Sequence, residues 1–152
     1  MGLFDHSKGK AIVEQSGTFG GNPLTMAAGL AALSQLTPAA YAHLDSLANR
    51  LRAGLRSIIA ERSIPARVTG QGSLVGIVFT ETPYLNYREY YAEMTRTGGW
   101  DRCAELHRHL LNEQVFCGRN GGFNLSLPMT PQDIDFLLER CDRVLGQIFG
   151  GA

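Results

Sequence analysis

The sequence carries no surplus of charge: fourteen Lys and Arg stand against fourteen Asp and Glu. It therefore offers no electrostatic footprint for nucleic acid or for an anionic membrane. It also lacks any apolar run near the roughly 20 residues that span a bilayer. Its start, Met-Gly-Leu-Phe-Asp-His-Ser-Lys, has no signal-peptide core, and the expected location is cytoplasmic. Cysteine is scarce. Cys103, Cys117 and Cys141 form no Cys-x-x-Cys pair, which excludes a zinc knuckle and a disulfide framework and fits a reducing compartment. Internal repeats and low-complexity tracts are absent as well.

What is present is ordinary globular material, 44% apolar and 18% charged, enough at 152 residues for one core that buries roughly 70% of the unfolded surface. Glycine punctuates it in three clusters, at Gly17, Gly20 and Gly21, at Gly70, Gly72 and Gly76, and at Gly118, Gly121 and Gly122.

Asn22 followed by Pro23 predicts a helix start, because a short polar side chain accepts an orphan N–H and the proline ring is already fixed at helical φ. That helix is expected to reach about Leu36. Its small-residue interior, Thr25 to Leu33, admits close neighbours on more than one side, so it is expected to be buried. Thr37-Pro38 repeats the signal and opens a second helix, on which Tyr41, Leu44, Leu47, Leu51, Leu55 and Ile58 recur at three- and four-residue steps. Ile64 and Pro65 end it.

Beyond the break, 67–70 and 74–80 read as two strands around a Gly-Gln-Gly turn. Residues 100–112 read as a helix with Cys103, Leu106 and Leu110 on one face. Val115-Phe116-Cys117 and 123–127 are strand candidates. The last helix has the fullest signature: Thr130 as cap, Pro131 at the first position, Asp133 completing a capping-box-like pair, and a stripe through Ile134, Leu137, Leu138, Cys141, Val144, Leu145 and Ile148. Gly150 and Gly151 close it. The order of elements predicts an α+β fold, a small antiparallel sheet of three or four strands covered by helices.

Three places carry candidate chemistry. Ser16-Gly17-Thr18-Phe19-Gly20-Gly21-Asn22-Pro23 is a glycine-rich loop feeding a helix amino terminus, where backbone N–H groups, the helix dipole and the Thr18 hydroxyl suit an anion such as phosphate. A plain tight turn is the competing reading of that pattern. His107 and Cys103 stand at i, i+4 spacing, but no third ligand recurs nearby, and a half-buried helix face accounts for them without a metal. Tyr84, Tyr90, Tyr91 and Trp100 read as packing and surface aromatics, since no basic residues interleave them.

The stretch from Ser16 to Leu30, Ser-Gly-Thr-Phe-Gly-Gly-Asn-Pro-Leu-Thr-Met-Ala-Ala-Gly-Leu, closely resembles the segment after the cofactor lysine of class III, pyridoxal-phosphate-dependent aminotransferases. Residues 70–80, with Asn86-Tyr87 after them, are similar to the Gly-x-Gly-Ser-x-x-Gly strand of the glutamate-1-semialdehyde aminomutase group, and 125–135 to that family's final helix start. The resemblance covers nearly all of this chain but only the carboxy-terminal part of a family member. It implies residues 1–36 as lead-in, phosphate-facing loop and interface helix, and residues 37–152 as the C-terminal small domain of a fold type I enzyme.

By the same resemblance, Gly17 and Thr18 face the pyridoxal phosphate of a neighbouring subunit, and the 22–36 region joins a homo-oligomer. Family catalysis needs a Schiff-base lysine, an aspartate for the pyridine nitrogen and a stacking aromatic, all of which lie upstream of the matching motif. The only lysines, Lys8 and Lys10, sit in a polar Ser-Lys-Gly-Lys context and read as solvated charges. No catalytic residue is assigned to this chain, which is expected to bind no cofactor alone. Its partner is an upstream large domain or a complementary half of a split enzyme; a non-catalytic dimerisation or binding module is the alternative.

Arg119, in the loop Cys117-Gly118-Arg119-Asn120-Gly121-Gly122, matches an arginine that meets a substrate carboxylate in some related β-amino-acid transaminases. A loop arginine facing water is the competing reading. The loop is shorter than in aminomutases and lacks their Ser and Glu.

Overall fold

A computed structural model describes Ser7, Gly9, Gly17 and residues 19–150. The chain divides into two compact units, Met1–Thr37 and Pro38–Ala152.

The first unit holds α1, Pro23–Leu33, capped as the Asn-Pro signal predicts: the Asn22 side chain accepts from the N–H of Leu24 at 2.9 Å and of Thr25 at 3.4 Å. The helix stops short of Leu36. The Ser34 hydroxyl donates back to the Ala31 carbonyl at 2.8 Å, and Gln35 and Leu36 take carbonyls three residues back, the tightening that ends a helix. The helix, expected to be covered in the complete enzyme, lies open in this chain. No residue of α1 is buried, and Leu24 and Leu30 are 80% and 72% exposed. Among the described residues the unit has no second element to cover this largely apolar helix.

In the second unit α2, Pro38–Glu61, buries Leu44, Leu47, Ala48, Leu51, Leu55, Ile58 and Ile59. Tyr41, expected on the same stripe, lies outside it at 54% exposed. A reversal through Ser63, at φ 52°, leads to β1, Arg67–Thr69, and β2, Leu74–Val78. They pair antiparallel with Val68 opposite Ile77. The third strand, β3, Gly122–Asn124, pairs with β2 through Val75 and Phe123. Directly opposed residues share a face, so Val68, Ile77, Val75 and Phe123 form the core side of the order β1-β2-β3.

Two strand expectations shrink. Val115-Phe116-Cys117 forms no ladder: β2 is already paired on both edges, by β1 and β3, and the Cys117 carbonyl meets the His107 ring. Strand three ends at Asn124; Leu125 still donates to the Ser73 carbonyl at 3.0 Å, after which the chain turns at Pro128 toward the last helix.

Helix α3, Tyr87–Arg96, has no counterpart among the elements expected from hydrophobic spacing. It starts from Asn86, whose Oδ1 accepts the Glu89 N–H at 3.0 Å, while Glu89 reaches back to the Leu85 N–H at 2.7 Å. It buries only Met94, too little for an apolar stripe to show. Helix α4, Gly99–Asn112, buries Cys103, Leu106 and Leu110, and α5, Pro131–Phe149, buries Ile134, Leu137, Cys141, Val144 and Leu145. The α5 capping box is complete, with Asp133 N–H on Thr130 Oγ1 at 3.4 Å and Thr130 N–H on Asp133 Oδ2 at 2.7 Å. Gly150 caps its end; Gly151 lies outside the described residues.

Helix α2 packs on α5 and on the sheet, α4 on α5 and β2, and α3 on α4. Gly54 permits the α2–α5 approach, since a Cβ there would stand 2.5 Å from the Leu138 methyls. Two forked ion pairs, Arg50–Asp135 and Arg62–Asp142, both at 2.7 Å, tie α2 and the residue just after it to α5 at the surface, where solvent screens such pairs and they add little. The fold is the α+β arrangement expected, a three-stranded antiparallel sheet with helices packed on it.

Candidate functional site

The site residues fall in two loops, one in each unit. In the first, Gly20 N–H donates to the Gly17 carbonyl at 3.0 Å and Asn22 N–H to the Phe19 carbonyl at 3.3 Å, with Gly21 at φ 76°. Gly17 is exposed. Thr18 lies outside the described residues, as do Lys8 and Lys10. Because Asn22 already takes the Leu24 and Thr25 amides and Pro23 has none, the first turn of α1 keeps no spare N–H for an anion. Any phosphate grip here rests on the loop and the Thr18 hydroxyl.

The second loop is a turn pinned at several points. Gly118 N–H donates to the Gly122 carbonyl at 2.6 Å, and Gly121 N–H to the Gly118 carbonyl at 2.9 Å. Asn120 Oδ1 accepts the Gly122 N–H at 3.2 Å. The Gly121 carbonyl in turn accepts from Ile77 on β2 at 3.0 Å. Gly121 is buried at φ 79°, and a Cβ there would meet the Ile77 carbonyl oxygen at 2.5 Å, so only glycine fits.

Arg119 sits at the tip of this turn, exposed, facing a cleft it shares with Asp101, Glu105, His107, Arg108 and Leu111. No hydrogen bond or ion pair holds its guanidinium among the described residues. A rigid backbone thus carries an uncommitted planar fork, suited to two parallel bonds with a carboxylate.

The Cys103–His107 pair has other partners. His107 Nδ1 lies 2.7 Å from the Cys117 carbonyl, and among the described residues no group of three metal-ligating side chains occurs. Burial pushes the Cys103 thiol up to about 12 and Cys117 to about 11, and raises Cys141 further, so none is a thiolate nucleophile at neutral pH. The tyrosines pack as expected. Tyr90 meets Tyr84 at 5.1 Å and Trp100 edge-on at 5.4 Å, and its burial raises its hydroxyl pKa. His107, which holds the Arg119 turn from α4, is a contact that helical spacing could not reveal.

No protein-family model matches the chain. It is 34% identical over 140 residues to glutamate-1-semialdehyde 2,1-aminomutase 2 of Geobacillus thermodenitrificans, an alignment covering 91% of this chain and 32% of that protein. Among solved structures it is similar to a β-phenylalanine aminotransferase from Variovorax paradoxus, with a TM-score of 0.75, 34% identity, and 95% of this chain on 32% of that one. A transaminase with PLP bound gives a TM-score of 0.74 at 28% identity, with 98% of this chain on 33% of that one.

In fold and sequence the chain matches a segment of glutamate-1-semialdehyde aminomutases and transaminases. The chain is a carboxy-terminal segment of the class III aminotransferase type, in its glutamate-1-semialdehyde aminomutase-like group. It spans about a third of the length of the curated relatives it matches. Among the described residues no helix is long and apolar enough to cross a membrane.

Proposed function

We propose that this chain serves an enzyme that transfers or migrates an amino group on a carboxylate-bearing substrate, and that Arg119 is the residue by which the chain meets that carboxylate. The observation that carries this reading is the turn itself: a backbone fixed by four hydrogen bonds presents an arginine with no partner of its own. A likeness to a β-phenylalanine aminotransferase supports an amino-acid substrate. The short loop, which lacks the Ser and Glu of the aminomutases, weighs against the specific aminomutase substrate.

Pyridoxal phosphate, when bound, supplies the electron sink for bond cleavage at the amino-bearing carbon. The residues of this chain fit a share in holding its phosphate and not a whole cofactor site. Gly17 and Thr18 contribute the loop backbone and a hydroxyl to the phosphate in a neighbouring subunit, and the spent amides of α1 leave no further anion donors there. The chain contains no lysine after Lys10, so turnover requires a lysine-bearing remainder. Helix α1, apolar and open throughout, is the surface through which residues 22–36 join a second copy. A non-catalytic dimerisation module, or one half of a split enzyme, is the alternative, and it draws on that same open helix.

The test combines the chain with a lysine-bearing large domain of the same group and follows transamination of β-phenylalanine with pyridoxal phosphate. Turnover is expected in the mixture and not with the chain alone. Arg119→Ala should lower kcat/KM about 10- to 100-fold, the loss of a charge-assisted pair, mostly through KM. Borohydride reduction of the chain alone should give no site-specific pyridoxyl adduct. Amine-dependent labelling of Lys8 or Lys10, or an Arg119→Ala variant with unchanged kinetics, would overturn the assignment.

A further inference from the structure

Arg119 is useful as a carboxylate fork only if its turn stands still, and β2 secures one side of the turn through the Ile77–Gly121 bond. The other side is secured from α4. His107 Nδ1 lies 2.7 Å from the Cys117 carbonyl oxygen, at the residue where the turn begins. A carbonyl can only accept, so Nδ1 carries the proton and Nε2 of the neutral ring is the bare nitrogen. The ring is half-buried and stands edge-on to Phe116 at 5.9 Å. His107 and Arg119 line the same cleft.

We propose that His107 is a positioning residue: it latches the 117–122 turn to α4 and thereby sets where the Arg119 guanidinium can meet a carboxylate. The proposal rests on the reading of Arg119 given above. It gives the buried Cys117 carbonyl, which lies outside the sheet, a partner. It also gives a reason for the histidine that metal ligation does not supply.

The experiment uses the isotope-labelled chain and nuclear magnetic resonance. The two-bond proton–nitrogen spectrum should show His107 as the Nδ1–H tautomer; an Nε2–H tautomer would overturn the proposal. In His107→Ala and His107→Phe, exchange of the Gly118, Gly121 and Gly122 amides should quicken about 3- to 10-fold, the effect of one lost hydrogen bond, while the α2 amides keep their rates. His107→Asn, whose side-chain N–H stands where Nδ1–H stood, should restore slow exchange. If His107→Ala fails to fold, the Phe and Asn variants decide.

Unchanged exchange in the Ala and Phe variants, or no recovery in Asn, refutes the latch. The same variants are then combined with the lysine-bearing large domain, and KM for β-phenylalanine is measured. It should rise about 3-fold or more in the Phe variant and recover in Asn, tracking the same bond. A loosened turn with unchanged KM would overturn the positioning role. If Arg119→Ala leaves KM unchanged in that mixture while the turn behaves as stated, the carboxylate reading fails and the latch stands.

Discussion

Replacing Gly121 by alanine strikes the Arg119 turn at its tightest point. Gly121 holds φ 79°, and a Cβ would stand 2.5 Å from the Ile77 carbonyl oxygen and 3.2 Å from Cys103 Sγ. An L-residue in the left-handed region costs about 1–2 kcal/mol. The contact with backbone cannot be relieved by a side-chain rotation, so the turn must move and the Ile77 N–H loses the Gly121 carbonyl. Ile77 is 0% exposed, so water cannot take its place. An unmade buried amide bond costs about 1–3 kcal/mol, for a total loss of roughly 2–5 kcal/mol, a large part of what a domain possesses.

Gly72→Ala is the matched control: φ is 55°, but nothing lies within 4 Å of its Cβ, so only the backbone term of about 1–2 kcal/mol applies. Urea unfolding followed by circular dichroism separates the two. At a slope of about 1–3 kcal/mol per molar urea, the Gly121 variant should unfold about 1 M earlier than the Gly72 variant. Equal midpoints would show that the turn yields without breaking its tie to β2, and the fixed-turn reasoning would be wrong.

Four further outcomes are expected. Thr130→Ala should cost about 1 kcal/mol by removing the α5 cap, read as a lower urea midpoint. In the unsubstituted chain the Thr130 N–H and hydroxyl hold the Asp133 carboxyl below its usual range. The depressed pKa means this support is present above the unfolded-state value and fades as pH falls through the lower folded-state value, so urea midpoints should decline in acid below about pH 4, and less steeply in Thr130→Ala. Leu55→Ala, at a fully buried α2 position, should cost about 2–5 kcal/mol by the same unfolding assay. Cys103, Cys117 and Cys141, buried with raised pKa values, should resist a disulfide reagent at pH 8 and react together once urea unfolds the chain; rapid reaction of any one in the native state would contradict the packing.

Local chemistry made much of this fold legible. Asn22-Pro23 and the Thr130–Asp133 box start their helices because a cap needs only residues within three positions of itself. The α2 and α5 stripes are legible because burial on one face forces a 3.6-residue period. Helix α3 escaped because a lone buried Met94 makes no period, though the spacing of Asn86 and Glu89 carries a capping signal. The motif after Ser16 identified the family from residue order alone, and the Arg119 loop was found in the same way.

Where Arg119 stands, and what steadies it, could not be read along the chain. The bonds concerned join residues far apart in sequence: Ile77 to Gly121, 44 positions apart, and His107 to Cys117 across a helix end. The fate of 115–117 was decided by the sheet, since β1 and β3 already occupy both edges of β2. Burial of α1 likewise depended on partners that periodicity does not supply. Sequence determined the elements and the family because those depend on near neighbours and residue order; tertiary structure decided the rigidity of the site because the restraining groups meet only once the chain has folded.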